Sequence, residues 1–258
     1  MTSAPAPAAT PPPPRSPTLR ISFPEGYTAR EMAHRVAKVR LIAIHRRHVT
    51  PVLTAKAYSA AVAATRAPRA FRAFMKQRSL EGFLFPSLYV FGPSTQASEL
   101  VSLQLQAFTT AWKHVDLSAA KLRGANPYEV LIIASMVERE AALQSERPLV
   151  AAVIANRLAQ DMPLGIDATL RYGLGIPGTR PLTQRELRTD TPYNTRLHKG
   201  LPPTPISNPG LASIKAAAHP AAVDYLWYVR IPHTQRHFFT DSYDEFCAKV
   251  KEWGYGEC

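Results

Sequence analysis

The chain has 258 residues, 46% of them hydrophobic, and a formal net charge of +12. This length allows one large domain or two small ones with a real core, and because no run of about 18 apolar residues occurs, we expect no membrane-spanning helix within it. The positive charge indicates either an ordinary basic surface or an anionic partner such as nucleic acid, anionic lipid or an acidic polymer.

The N-terminal part begins with a segment of unusual composition. Residues 1–18 are rich in proline and alanine without apolar periodicity, which predicts a disordered or polyproline linker. An alternating run from Leu19 predicts a short strand. Thr28 and Glu31 then have the spacing of a capping box, which predicts a helix from there to about Leu41.

The remaining elements follow from apolar periodicity and capping residues. Helices are predicted over residues 54–64, 95–114, 127–143, from 145 onwards, 183–188, 209–219 and 242–253. Residues 79–91 are expected to form an ordered loop or short strands, and residues 225–231 and 236–240 two strands joined by a turn. No internal repeat occurs, and this order of elements predicts an α+β fold.

Two acids, Glu138 and Glu140, interrupt the apolar helix predicted over residues 127–143. At about 100° per residue they lie about 200° apart, so they flank the apolar stripe on different sides. Glu140 faces a bulkier wall formed by Ile133, Met136 and Val137. Such a wall favours the neutral carboxyl that a general acid needs. The alternative is a helix-end glutamate paired with Arg147 or Arg157.

Residues 162–210 form a stretch rich in glycine and proline, for which only the short helix at 183–188 is predicted. The stretch is long for an inert connection and indicates a shaped cleft. Its polar and aromatic side chains would suit ring-shaped polar ligands such as sugars; they are Asp167, Thr169, Tyr172, Tyr193, Asn194 and Thr195. The alternative for Asp167, Asn194 and Thr195 is that they only fix turns.

Seven blocks, in order, resemble the MltG (YceG-like) family of endolytic murein transglycosylases. They are SLEGFLFPSLY, LIIASMVEREA, VAAVIANRL, MPLGIDATLRYGLG, TPYNTRLHKGLPPTPISNPGLASIKAAAHP, DYLWYV and HFF. The resemblance covers roughly residues 80–250, and residues 19–79 look like the end of the family's LysM-like region. It implies a disordered segment at 1–18, a partial LysM-like subdomain at 19–79 and a YceG-like α+β catalytic domain at 80–258.

The resemblance also implies an activity. Members of the family are expected to cut the MurNAc–GlcNAc bond of nascent peptidoglycan strands internally, which leaves 1,6-anhydro-MurNAc ends and terminates strand elongation. Glu140 would be the catalytic glutamate, with Glu138 as the second choice. His237, in the HFF block, joins the six cleft residues as an expected substrate contact, its alternative being a strand histidine with a satisfied hydrogen bond. No cofactor and no metal are implied.

The same resemblance implies a location and partners. The expected location is the extracytoplasmic face of the cell membrane, with an anchoring apolar segment upstream of residue 1. The expected partners are peptidoglycan glycan strands and cell-wall synthesis proteins.

Three other functions compete with this one. A non-catalytic peptidoglycan-binding or scaffold protein of the same fold is favoured by Ala141, where the family usually has threonine. A nucleic-acid binder would explain the charge of +12, but no zinc spacing, helix-turn-helix pattern or RNP-like aromatic motif supports it. A metallohydrolase is disfavoured because the eight histidines are scattered and no HExxH motif occurs.

Overall fold

The computed structural model describes residues 17–256, so the predicted linker at 1–18 lies outside it except for its last two residues. Within this range the chain forms ten α-helices and four short strands. The helices are α1 (Ala29–Arg47), α2 (Ala55–Ala64), α3 (Ala97–Trp112), α4 (Ser118–Leu122), α5 (Pro127–Glu140), α6 (Arg147–Ala159), α7 (Asp167–Leu174), α8 (Gln184–Leu187), α9 (Leu211–Ala218) and α10 (Tyr243–Glu252). The strands are β1 (Leu19–Ser22), β2 (Leu88–Phe91), β3 (Trp227–Arg230) and β4 (His237–Thr240).

Helix α1 begins as its capping residues predict. The Thr28 hydroxyl accepts from the Glu31 amide at 3.1 Å, and the Thr28 amide donates to the Glu31 carboxylate at 2.7 Å. The helix runs to Arg47, beyond the expected end near Leu41, because no glycine or proline interrupts it. It ends where His48 adopts a left-handed conformation.

Two differences from the sequence prediction lie close together in the fold. Helix α5 ends at Glu140 rather than at residue 143, since Ala141 has extended backbone angles. The glycine-rich stretch was expected to hold only the short helix α8, and that expectation was wrong because it also holds α7. Gly173 makes α7 hard to recognise, yet it is required there: an added Cβ would lie 2.6 Å from Cβ of Tyr193.

Helix α5 is the central element of the core. Its residues from Val130 to Val137 are all buried, and it packs against α6, α7 and α9. The buried Ser135 hydroxyl donates to the Ile132 carbonyl at 2.7 Å and accepts from the Ile206 amide at 3.0 Å. Because the Ser135 hydroxyl both donates and accepts a hydrogen bond, this polar side chain is tolerated in an apolar helix.

The strands form two antiparallel pairs. In the first, β1 pairs with β2 and Leu19 lies opposite Phe91, so a strand from the predicted unit at 19–79 pairs with one from the unit at 80–258. In the second, β3 pairs with β4 and Trp227 lies opposite Thr240. The mixed helix-and-strand architecture is confirmed, whereas the division into the two units stays a prediction. No helix among residues 17–256 is long and apolar enough to cross a membrane.

Candidate active site

The two glutamates near the end of α5 have different surroundings, and Glu138 is held by two donors. Arg147 donates to Oε1 of Glu138 at 3.0 Å, and the Gly210 amide, which precedes α9, donates to Oε2 at 3.0 Å. The Glu138 side chain is only 5% exposed. The arginine pairing that the sequence offered as an alternative is therefore made by Glu138, which ties α5 to the starts of α6 and α9.

Glu140 is the last residue of α5 and keeps part of its surface exposed. The Tyr228 hydroxyl, from β3, donates to its Oε2 at 3.0 Å. Burial raises the pKa of the Glu140 carboxyl, and the negative charge of Asp167 raises it too, while the Tyr228 hydrogen bond, the charge of His237 and the Ala168 amide lower it. The net shift is upward, which favours the protonated form expected of a general acid.

The start of α7 lies beside Glu140. Asp167 and Ala168 are its first two residues, and both influence the Glu140 carboxyl. Asp167 also accepts from Arg196 at 2.6 Å in a pair that is nearly half exposed on both sides. Asp167, predicted as a cleft residue, is thus next to the candidate acid.

His237 lies on β4 and is held by a buried carboxylate. Its backbone amide donates to Oε1 of Glu146 at 3.0 Å, and its Nδ1 lies 2.8 Å from Oε2 of the same residue. The imidazole ring stands edge-on to the Tyr228 ring, with centroids 5.4 Å apart. His237 therefore contacts the tyrosine that contacts Glu140.

A further carboxyl, Glu81, is buried on the other side of α7. It accepts from the Tyr172 hydroxyl at 3.1 Å, the Ala29 amide at 3.0 Å and the Asn208 side-chain amide at 2.6 Å. Burial raises the pKa of Glu81 to about 7. The sequence analysis missed this residue, although a single acid within the apolar segment SLEGFLFP was a visible signal.

The model of the YceG-like family matches residues 10–252. The chain belongs to the YceG-like family. The family that the seven sequence blocks indicated is confirmed.

Several members of the family are similar to this YceG-like chain. An endolytic murein transglycosylase of Bacillus subtilis (strain 168) is 36% identical over 151 residues, which are 58% of this chain and 41% of the relative. An endolytic murein transglycosylase of Streptococcus pneumoniae (strain ATCC BAA-255 / R6) is 29% identical over 259 residues, covering 93% of this chain and 45% of the relative. This chain thus spans less than half the length of the curated relatives it matches.

A solved structure shows the same fold. The crystal structure of a yceG-like protein from Listeria monocytogenes superposes with a TM-score of 0.70 and 28% sequence identity. The match covers 90% of this chain and 75% of the other.

The predicted cleft residues of this YceG-like chain fall into two groups. Thr169, Asn194 and Thr195 are almost fully buried. The two threonine hydroxyls bond each other at 3.0 Å, and the Asn194 amide donates to the Leu187 and Thr189 carbonyls at 2.9 Å each. A direct ligand contact by these three stays a prediction, and their geometry favours a role in fixing the loops.

Tyr172 and Tyr193 are partly exposed and pack edge to face, with ring centroids 5.2 Å apart. Tyr172 also lines an open cavity of about 300 Å³, together with Arg139 and Ala168. Among residues 17–256, no group of three or more His, Cys, Asp or Glu is placed to hold a metal ion.

Proposed function

We propose that this chain is the catalytic part of an endolytic peptidoglycan lytic transglycosylase. In this proposal it cleaves the MurNAc–GlcNAc bond of nascent glycan strands, leaves 1,6-anhydro-MurNAc ends and so terminates strand elongation. The observation that carries the proposal is the carboxyl of the partly exposed residue Glu140, whose pKa is raised by burial and whose Oε2 accepts from Tyr228. The relatives named endolytic murein transglycosylases support the substrate class.

One carboxyl is sufficient for this reaction. Protonated Glu140 gives its proton to the glycosidic oxygen, the bond from that oxygen to the anomeric carbon breaks, and the electron pair leaves with the oxygen. The 6-hydroxyl of the same sugar then bonds to the anomeric carbon, and its proton goes to the Glu140 carboxylate. No water is consumed, unlike hydrolysis, which uses two carboxylates flanking the bond. Glu138 is occupied by Arg147 and Gly210, which supports Glu140 as the acid.

Residues on α7 and in the loop that follows α8 would bind the glycan. Asp167, Tyr172 and Tyr193 are partly or substantially exposed, and their carboxylate, hydroxyl and ring surfaces suit the polar edges and apolar faces of sugar rings. Thr169, Asn194 and Thr195 would shape the loops that carry these groups.

The proposal extends to the organisation and location of the chain. Residues 19–79 would be a partial LysM-like subdomain and residues 80–258 the catalytic domain, after a Pro-rich segment at 1–18. The β1–β2 pairing and the bond between Ala29 and Glu81 would couple the two units. Peptidoglycan strands are the proposed partner, with cell-wall synthesis proteins beside them, and the site would work at the extracytoplasmic face of the cell membrane.

The test is digestion of purified peptidoglycan with analysis of the new ends by mass spectrometry. We expect 1,6-anhydro ends from the wild type and a loss of at least about 10²-fold in Glu140→Gln, which keeps the shape but cannot transfer the proton. Glu138→Gln is the matched control and should keep most of the activity at a temperature where it is folded.

Reducing ends instead of anhydro ends would contradict the proposal, as would a folded Glu140→Gln variant with wild-type activity. Sedimentation with peptidoglycan but no cleavage would favour the non-catalytic binding protein of the same fold.

A further inference from the structure

Four side chains in contact connect the start of α6 to the end of α5. Glu146 contacts His237, His237 packs on Tyr228, and Tyr228 donates to Glu140. Tyr228 and Glu140 are 88 residues apart in the chain, and His237 and Glu146 are 91 apart. Contacts between such distant positions are made only by the packing of the β3–β4 pair against α5 and the start of α6.

The first link fixes the histidine ring. Both carboxylate oxygens of Glu146 contact His237, one at its backbone amide and the other at its Nδ1. The side chains of Glu146 and His237 are each 9% exposed. Because a carboxylate can only accept, Nδ1 carries the proton in this pair. Glu146 is also the residue before α6, and its side chain makes no capping bond to that helix but turns to His237.

The second link fixes the tyrosine ring. The His237 and Tyr228 rings meet at 87°, and Phe239 packs against both, at 6.1 Å from His237 and 5.8 Å from Tyr228. With its ring held by these two neighbours, Tyr228 places its hydroxyl 3.0 Å from Oε2 of Glu140.

We propose that Glu146 and His237 are a positioning pair for the proposed reaction, holding Tyr228 so that its hydroxyl keeps Oε2 of Glu140 as an accepting oxygen. The proton to be transferred is then carried by Oε1. This inference rests on the proposed function for its purpose, but the contacts that support it do not depend on that function. Glu146, His237 and Tyr228 act through Glu140 and are positioning residues.

The groups around Glu140 determine in which direction its pKa should move when Tyr228 or His237 is replaced. Asp167, on α7, raises the pKa of Glu140, whereas Tyr228, on β3, and His237, on β4 and in its protonated form, lower it. Burial raises the pKa of the Tyr228 hydroxyl well above its usual range, the negative charges of Glu140 and Asp167 raise it too, and the charge of Arg157, on α6, opposes them only in part. Removal of the Tyr228 hydroxyl or of the imidazole should therefore leave Glu140 protonated up to a higher pH.

The first test measures Glu140 itself in the full chain. Carboxyl ¹³C NMR titrations of wild type, Tyr228→Phe and His237→Gln are compared, with the Glu140 signal assigned by its absence in Glu140→Gln. We expect the midpoint to rise by about one pH unit in both variants. Glu146→Gln should shift it in the same direction, and the double variant with His237→Gln should add nothing further, since the two residues act as one unit.

His219→Gln is the matched control, because His219 also pairs with a carboxylate, Asp116, at 3.2 Å but on the exposed surface. It should leave the Glu140 midpoint unchanged. An unmoved midpoint in Tyr228→Phe and His237→Gln, or an equal shift in His219→Gln, would overturn the inference.

The second test uses glycan cleavage. For Tyr228→Phe we expect kcat to fall by about 10²-fold with KM nearly unchanged, and the alkaline limb of the pH profile to move upward. A fall in activity equal at every pH would show a merely structural role and count against the inference. If the wild type cleaves no glycan, the proposed function fails, while the titration still decides whether the pair controls Glu140.

Discussion

Glu138 and Glu140 lie two residues apart on α5, but their side chains have different hydrogen-bond partners. Glu138 accepts from Arg147 and from the Gly210 amide, both at 3.0 Å, and is almost fully buried. Glu140 accepts from Tyr228 and remains partly exposed beside α7. The first acid holds three helices together, whereas the second is the acid that we propose for catalysis.

Glu138→Ala should reduce stability rather than remove a reacting group. It leaves the Arg147 side chain, 11% exposed, without its 3.0 Å partner, so we expect the free energy of unfolding to fall by about 3 kcal/mol. Urea denaturation measures the loss. Lys249→Ala breaks a surface pair with Glu252 and should change stability by less than about 0.5 kcal/mol; equal losses in the two variants would contradict the structural role of Glu138.

Glu81 should make stability depend on pH. Its pKa is about 7 in the folded chain against an ordinary value of 4.5, so the unfolded chain releases this proton first and Glu81's contribution to stability falls as the pH rises from about 4.5 to 7. Glu81→Gln cannot titrate. The stability advantage of wild type over the variant should therefore shrink by on the order of 2 kcal/mol between pH 5 and pH 8.

Urea denaturation of both proteins at the two pH values tests this. A difference that is the same at pH 5 and pH 8 would show that Glu81 is ionised throughout the range. Such a result would mean that its three donors outweigh the effect of burial.

Asp167→Asn should shift the pH profile of glycan cleavage in the direction opposite to the shift expected for His237→Gln. The Asp167 charge raises the pKa of Glu140, so its removal should shift the alkaline limb of glycan cleavage to lower pH. We expect a few tenths of a pH unit, because the Asp167 side chain is 46% exposed and screened by solvent. Asp161→Asn, which breaks an exposed pair with Lys199, is the control and should not move the limb. A shift of the alkaline limb to higher pH in Asp167→Asn would show that the Asp167 charge does not raise the pKa of Glu140.

Gly82→Ala should be strongly destabilising. Gly82 has φ +90°, and a Cβ there would lie 2.7 Å from Pro205 and 3.1 Å from Leu131. Backbone strain and overpacking together should cost about 3 kcal/mol. Gly124→Ala separates the two effects, because Gly124 has φ +74° with nothing within 4 Å of the added Cβ. Its cost should be about 1 kcal/mol, and similar losses at both positions would show that the contact with Pro205 is unimportant.

Much of the local structure could be predicted from residues close together in the chain. The capping box at Thr28 starts α1 as predicted, and α5 begins at the predicted residue 127, where Asn126 forms a second capping box. In both helices the atoms that satisfy the first amides lie within three residues. The ordered blocks likewise indicated the YceG-like family before any contact was known. The helical wheel separated Glu138 from Glu140, since residues two apart on a helix point about 200° away from each other.

Tertiary packing decided what surrounds those two acids. Arg147 was a candidate partner in the sequence, but its choice of Glu138 depends on where α6 begins in space. Tyr228 and Glu146 carried no local signal, because their contacts join positions about 90 residues apart. Burial by the tertiary fold raises the pKa of Glu81, and the bonds from Ala29, Tyr172 and Asn208 offset only part of that effect. Desolvation and hydrogen bonding of a buried carboxyl are properties of its three-dimensional surroundings, and periodicity along the chain does not determine them.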